Sequence, residues 1–216
     1  MIQRSDTLRD QAYALIRDKI IRQSLPFGAR LSVAELSREF GISNSPIREA
    51  ISLLETNGLV SNTPNYGFRV ITLDEQAFND LTQTMRVLLV GCLNECIRTG
   101  RIPELVPLLE ERLALQKSKM QEDSFYEYCV YSIDFDKAFV DVCHNEMLTR
   151  MFESKFKLLQ MCTVYAYDYR SDGVAENLRQ HEDILRSLQE NRYEDMKILL
   201  YQHFDKSELA SSLRDR

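Results

Sequence analysis

Ser32-Val33-Ala34-Glu35-Leu36-Ser37-Arg38-Glu39-Phe40-Gly41-Ile42-Ser43-Asn44-Ser45-Pro46-Ile47-Arg48-Glu49-Ala50-Ile51 is the stretch on which the reading of this 216-residue chain turns. Ser32 and Glu35 have the spacing of a capping box, in which the serine oxygen accepts from the N3 amide and the glutamate reaches back. The helix so begun is short, with Leu36 and Phe40 inward, and Gly41 can supply the left-handed residue that ends it. Ile42-Ser43-Asn44-Ser45 then turns a tight corner, and Pro46 suits the first turn of a second helix. Along that helix Ile47, Ala50, Ile51 and Leu54 fall on one face, and Asn57-Gly58 stops it. Two short helices joined by a Gly-Ile-Ser turn predict a helix-turn-helix.

The flanks extend this reading. Upstream, Leu8, Ala12, Leu15, Ile16, Lys19 and Ile20 recur at helical spacing over Leu8 to Ile21, and Leu25-Pro26-Phe27-Gly28 breaks the pattern. Downstream, Leu59-Val60-Ser61 and Phe68-Arg69-Val70-Ile71 read as strands around the turn cluster Asn62 to Gly67. A hairpin directly after the second helix is a wing. Hydrogen-bond donors gather where such a head meets a duplex. Ser43, Asn44, Ser45 and Arg48 stand at the start of the second helix, where free amides and the positive helix end favour phosphate. Arg48 can pair bidentately with guanine and Asn44 with adenine. Arg30, Ser32 and Arg69 lie on the flanks, and Tyr66 and Gly67 at the wing tip, where a bare backbone can approach a phosphate.

Charge divides the chain. Residues 1–73 hold nine Lys and Arg against seven Asp and Glu, while the remainder holds 18 against 26. A mildly basic head on an acidic body predicts two domains, 1–73 for duplex DNA and 74–216 for something else. The longest apolar run, Val87–Val90, is far short of the ~20 residues that span a bilayer, so the expectation is a soluble, cytoplasmic protein without a membrane partner. Five cysteines (92, 96, 129, 143, 162) without CxxC spacing predict buried thiols rather than a disulfide framework or a zinc finger.

The polar and turn positions together resemble the head of GntR-family bacterial transcription regulators. The resemblance is carried by Leu25-Pro26-x-Gly28-x-Arg30-Leu31-Ser32-x-x-Glu35-Leu36, by Gly41-Ile42-Ser43-x-Ser45-Pro46-Ile47-Arg48-Glu49-Ala50-Ile51, and by Leu54-Glu55-x-x-Gly58-Leu59-Val60. Such regulators usually have arginine after the turn serine. Asn44 stands there in this chain, which favours adenine where arginine favours guanine.

From Asp74 onward only helical patterns occur, over about 74–99, 104–121, 123–143, 146–170, 173–190 and 192–212, with breaks at Gly100, Pro103 and Gly173. Short loops predict an antiparallel all-helical bundle. The fold class expected is therefore mainly α, a winged helix-turn-helix followed by an all-α bundle. Three stripes in the bundle carry a polar interruption. Asp136 sits among Phe125, Cys129, Ser132, Phe139 and Cys143. His181 sits among Val174, Leu178, Leu185 and Leu188, and His203 among Tyr193, Met196, Leu200, Ser207 and Ala210. A buried unpaired carboxylate costs several kcal/mol, so these three side chains have reason to meet. Two histidines and one carboxylate suit a divalent Zn, Ni, Fe or Mn; a buried Asp–His pair with a second, water-bonded histidine fits the same spacing. His144, beside Asn145, reads as a helix cap.

Phe135-Asp136-x-Ala138-Phe139, Asn145-x-x-Leu148 and the His181 and His203 pair resemble the FCD-type effector domain of GntR regulators. That resemblance implies a metal at the floor of a small-carboxylate pocket, with His181 and His203 as ligands. Ser132 stands where the family usually has aspartate and Asp136 where it usually has histidine, so Asp136 would complete a three-ligand set. Effector contacts are expected from Arg86, Ser132, Tyr128 and Tyr165, with Tyr131 and Tyr169 as further candidates. A more apolar effector, such as an acyl chain, is the other outcome of the changed ligands. The reading is a homodimeric regulator, a repressor by family habit, that binds a pseudo-palindromic operator and responds to a small organic acid. Its rivals are a metal-dependent helical-bundle enzyme with a fused head and a DNA-binding protein whose bundle only dimerises. No Glu-x-x-His pair, His-Glu-x-x-His or Gly-x-Ser-x-Gly supports an enzyme.

Overall fold

In the computed structural model, residues 7–64, 66–72, 74–121, 125–169 and 173–205 are described, and they fall into two compact units that divide after Thr72. The first holds α1 (Leu8–Ile21), α2 (Val33–Phe40), α3 (Asn44–Thr56), β1 (Val60–Thr63) and β2 (Gly67–Val70). Helix α1 starts on a capping box: the Thr7 hydroxyl accepts from the Asp10 amide, and the Asp10 carboxylate accepts from the Thr7 amide. Its buried face is Ala12, Ile16, Ile20 and Ile21, while Leu8 and Leu15 are about half exposed. Both leucines belong to the helical spacing that marks α1 in the sequence. Helix α1 packs against α3, and its buried side runs through Ala12, Ile16 and Ile20, so Leu8 and Leu15 fall on the adjoining side.

Helix α2 is capped by Ser32, whose hydroxyl accepts from the Glu35 amide at 3.3 Å; only this half of the expected capping box forms among the described residues. Gly41, at φ 66°, ends it in the left-handed conformation. Strands β1 and β2 pair antiparallel with Val60 opposite Val70 and Thr63 opposite Gly67. The segment after α1 adds a feature beyond the simple break the sequence suggested. Gly28 and Leu31 donate to the carbonyls of Val70 and Phe68, Ala29 accepts from Val70, and Arg30 pairs with Arg69 as a third, single-residue strand. Gly28 sits at φ 73°, where a Cβ would press to 3.2 Å from the Thr72 methyl.

The second unit is helical throughout its described length: α4 (Glu75–Thr99), α5 (Ile102–Gln121), α6 (Phe125–Asp141), α7 (Glu146–Tyr169), α8 (Gly173–Gln189) and α9 (Tyr193–His203). Asp74 caps α4 by accepting from the Ala77 amide at 2.8 Å, and Gly100 ends it at φ 71°. Pro103 does not break the chain as expected. It lies in the first turn of α5, where a missing N–H leaves no bond unmade. Helix α6 ends at Asp141, two residues early, and His144 takes a left-handed φ of 49°. The cap of α7 is Asn145, whose Oδ1 accepts from the Met147 and Leu148 amides; His144 instead pairs with Glu104 at 2.9 Å on the surface. Ser207 and Ala210, expected on the last stripe, lie outside the described residues.

The α5 and α6 pairing is the most extensive in the unit. Arg112 of α5 pins it, donating to the Asp134 carbonyl at 2.7 Å and to the Asp141 carboxylate at 2.6 Å. All five cysteines are buried free thiols. No described helix is long and apolar enough to cross a membrane.

Candidate functional site

Helices α6, α8 and α9 deliver Asp136, His181 and His203 to one point inside the second unit, with one donor atom from each lying within 4.8 Å of the others. The Nε2 atoms of the two histidines are 3.4 Å apart, and each faces an oxygen of Asp136, at 3.9 Å from His181 and 3.6 Å from His203. His181 is fully buried, with Asp136 and His203 no more than 5% exposed. Residues that the sequence separates by 67 positions thus share one small volume, which is what their placement on apolar stripes predicted.

The imidazoles are held in a defined state. His203 Nδ1 lies 2.9 Å from Gln180 Oε1, and the Gln180 amide nitrogen donates to the Glu176 carboxylate at 3.0 Å. A carboxylate can only accept, so the glutamine must turn its oxygen to the ring, and the ring must carry its proton on Nδ1. In the neutral ring, Nε2 is then the lone-pair atom. On the other ring, Nδ1 lies 2.8 Å from Gln116 Oε1, while Gln116 donates through Nε2 to Asn177 Oδ1 at 2.8 Å. Phe135 stacks on His181 at 4.0 Å, and Phe204 meets His203 edge-on at 4.8 Å. Outer hydrogen bonds of this kind orient ligating histidines and raise their basicity. Donors around a tetrahedral ion with bonds near 2.05 Å stand about 3.3 Å apart, close to the separations here, so the donor set fits a transition-metal dication.

Gln116, Asn177 and Gln180 were not among the residues picked out from sequence. Asn177 Oδ1 gathers the Gln116 amide, the Ser132 hydroxyl at 3.0 Å and the Tyr128 hydroxyl at 2.9 Å. Tyr128 also reaches the Val174 carbonyl at 2.8 Å. Its phenol is pushed above its ordinary range by burial, and it does not line the cavity beside the polar centre.

Beside the Asp136 and His203 edge lies a cavity of about 590 Å³, part of it open to solvent. Its apolar wall is Phe78, Leu81, Ile133, Phe152, Leu159 and Phe204, with the hydroxyls of Thr82, Ser132 and Thr163 as its neutral polar groups. Ser132 is thus brought to the cavity. Arg86 is not: its guanidinium carbon lies 4.9 Å from the Tyr201 ring centre, a cation–π contact between α4 and α9. Tyr131 is half-buried on α6 and does not line the cavity. The side chains of Tyr165 and Tyr169 lie outside the described residues.

In the first unit the start of α3 is open. Ser43 has the N-cap backbone conformation, yet its hydroxyl makes no capping bond. Asn44, Ser45 and Arg48 are exposed on the same end, with Ser45 donating to Glu49 at 3.3 Å. Ser32 spends its oxygen on the α2 cap. Tyr66 is 65% exposed at the wing tip beside Gly67, and Arg69 donates from the wing to the Gly28 carbonyl at 3.0 Å. Arg30 is exposed opposite Arg69.

A helix-turn-helix with a hairpin wing, followed by a helical unit with a buried polar centre and an adjoining cavity, defines a two-domain regulator. Residues 8–70 match the family described as bacterial regulatory proteins, gntR family, and residues 80–206 match the FCD domain. The chain belongs to the GntR family and carries an FCD domain. It is a transcription regulator with a DNA-binding head and a ligand-binding domain, not an enzyme. It is 26% identical over 200 residues to YdhC, an uncharacterized HTH-type transcriptional regulator of Bacillus subtilis, covering 90% of this chain and 87% of that one. It is 23% identical over 197 residues to the gluconate operon transcriptional repressor of Bacillus licheniformis, covering 88% and 79%. The fold matches a putative GntR transcriptional regulator from Rhodococcus sp. RHA1 with a TM-score of 0.75 at 17% identity, over 96% of this chain and 97% of that one.

Proposed function

We propose that this protein is a cytoplasmic, homodimeric repressor whose affinity for a pseudo-palindromic operator is set by a small organic acid held beside a divalent metal. The observation that carries the reading is the convergence of Asp136, His181 and His203, with the His203 ring fixed so that Nε2 offers its lone pair to the shared point. Zn, Ni, Fe or Mn would be held by these three side chains, supplying a Lewis-acidic positive charge for a carboxylate. The residues of the chain orient the donors, exclude water from them through Phe135 and Phe204, and present the cavity on one side.

In the head, Asn44 and Arg48 read bases from the start of α3, Ser43 and Ser45 meet phosphate with the free amides there, and Arg30, Arg69, Tyr66 and Gly67 contact the backbone from the wing. Ser32 belongs to this set through its position rather than through a free oxygen. A dimer supplies two such heads for a two-fold operator. Val87 of α4 and Met147 and Met151 of α7 support a pairing face, each more than half exposed despite being apolar. Ligand binding shifts the balance of DNA-competent and incompetent arrangements only by its unequal affinity for them.

The test is elemental analysis and native mass spectrometry of the purified protein, joined to selection of double-stranded sites from random sequence. The reading expects a dimer with one metal per chain and a salt-sensitive preference for a two-fold site that changes with added acids. Protein that retains no metal after exposure to each of the four ions removes the metal. Absence of any site preference removes the operator.

A further inference from the structure

The lining of the cavity carries information about what enters it. Its walls are mostly hydrocarbon, and among the described residues no lysine or arginine lines it. Its titratable groups are Asp136, His203 and the Cys162 thiol, which burial keeps neutral. We infer that the cavity selects a monocarboxylate with an apolar body over sugar acids and dicarboxylates. This rests on the reading of the Asp136, His181 and His203 centre as an acid-sensing site.

Three arguments converge. A second carboxylate would enter hydrocarbon with no cation to meet it, since among the described residues no lysine or arginine, Arg86 included, lines the cavity. A polyhydroxylated body would exchange many water hydrogen bonds for three neutral hydroxyls, on Thr82, Ser132 and Thr163. The charge count points the same way. One aspartate and two neutral imidazoles around a dication leave a single positive charge, which one carboxylate balances. Without that dication the Asp136 carboxylate repels an incoming acid, so binding should require metal.

The experiment is calorimetric titration of the full-length, zinc-loaded protein with hexanoate, gluconate, adipate and 1-hexanol, four six-carbon probes that differ in polarity and charge. Hexanoate should bind at least tenfold tighter than each of the others. From butyrate to hexanoate the affinity should climb roughly fourfold per methylene, the value of burying one CH₂. Stripping the zinc should remove hexanoate binding. Thr163→Arg, at a half-buried wall position, should raise adipate affinity at least tenfold relative to hexanoate, with Thr82→Arg as the alternative where the first fails to fold. Gluconate or adipate binding as tightly as hexanoate overturns the selectivity while leaving an acid sensor in place. If zinc loads but no acid of any kind binds, the sensor reading falls and the selectivity with it.

Discussion

The Nε2 atoms of His181 and His203 face each other across 3.4 Å, and each ring is anchored from behind at Nδ1 by a glutamine oxygen. Two imidazoles held this way direct lone pairs toward one point, with Asp136 as the third corner. Such an arrangement favours an electrophile at its centre over water, because water would have to donate to all three acceptors from two hydrogens.

His203→Ala should therefore abolish retention of zinc, and His181→Ala should do the same. In the parent protein, metal at a hundred times its dissociation constant stabilises the fold by about 2.7 kcal/mol. Thermal unfolding with and without zinc checks this: the parent melts several degrees higher when loaded, and the alanine variants do not respond.

Gln180→Leu tests the support of the ring rather than the donor itself. Gln180 is half-buried, so the change is tolerable for folding, but His203 loses the partner that fixes its tautomer. Zinc affinity should fall about 10–100-fold, the usual effect of removing an outer hydrogen bond. Competition with a chromogenic chelator measures it.

On the head, Arg48→Ala should weaken operator binding by about 1–3 kcal/mol if its guanidinium pairs with a base. Asn44→Arg should move base preference toward guanine at one position per half-site. Gel-shift titrations over a panel of single-base operator variants report both, and an unchanged panel for Asn44→Arg would mean that this side chain does not read sequence.

The thiols set a pH limit. Burial pushes Cys96 and Cys129 up to about 12 from an ordinary 9.0, and raises Cys92 and Cys162 further still. Below pH 8 the folded and unfolded chains both keep these protons, so stability is unaffected. Past pH 9 the unfolded thiols ionise while the folded ones stay neutral, and stability falls by about 1.4 kcal/mol per pH unit for each thiol until its folded value is passed. Urea midpoints from pH 7 to 10.5 should show the decline. At pH 8 only about one native thiol in ten thousand is ionised at a value near 12, so iodoacetamide should label these cysteines after unfolding and scarcely before.

The head was legible because its signals are local. Gly41 and Pro46 act through backbone conformation within a few residues, and Ile47, Ala50, Ile51 and Leu54 mark one helix face without reference to the rest of the chain. The polar centre was legible for a different reason: a charged residue on an apolar stripe is rare enough to stand out. Gln116 interrupts the buried series Leu105, Leu109 and Leu113 in the same manner, and Asn177 precedes His181 by one turn. Amides, however, are ordinary on helix surfaces, so their interruption says little until burial is known. The fate of Arg86 was out of reach of any local pattern. Its position over Tyr201 depends on how α4 and α9 are rotated against each other, which neither helix encodes alone. Leu8 and Leu15 show the converse, since apolar spacing identifies a helix but does not say which of two adjacent sides its neighbour will cover.

The single-residue bridge sets Arg30 and Arg69 at opposed positions of adjacent strands, with the Arg69 guanidinium donating to the Gly28 carbonyl; like charges directly opposite on a sheet are unfavourable. A polyanion laid across the wing would neutralise both charges at once. Sulfate or short non-specific duplexes should then firm up this part of the molecule even where no operator sequence is present.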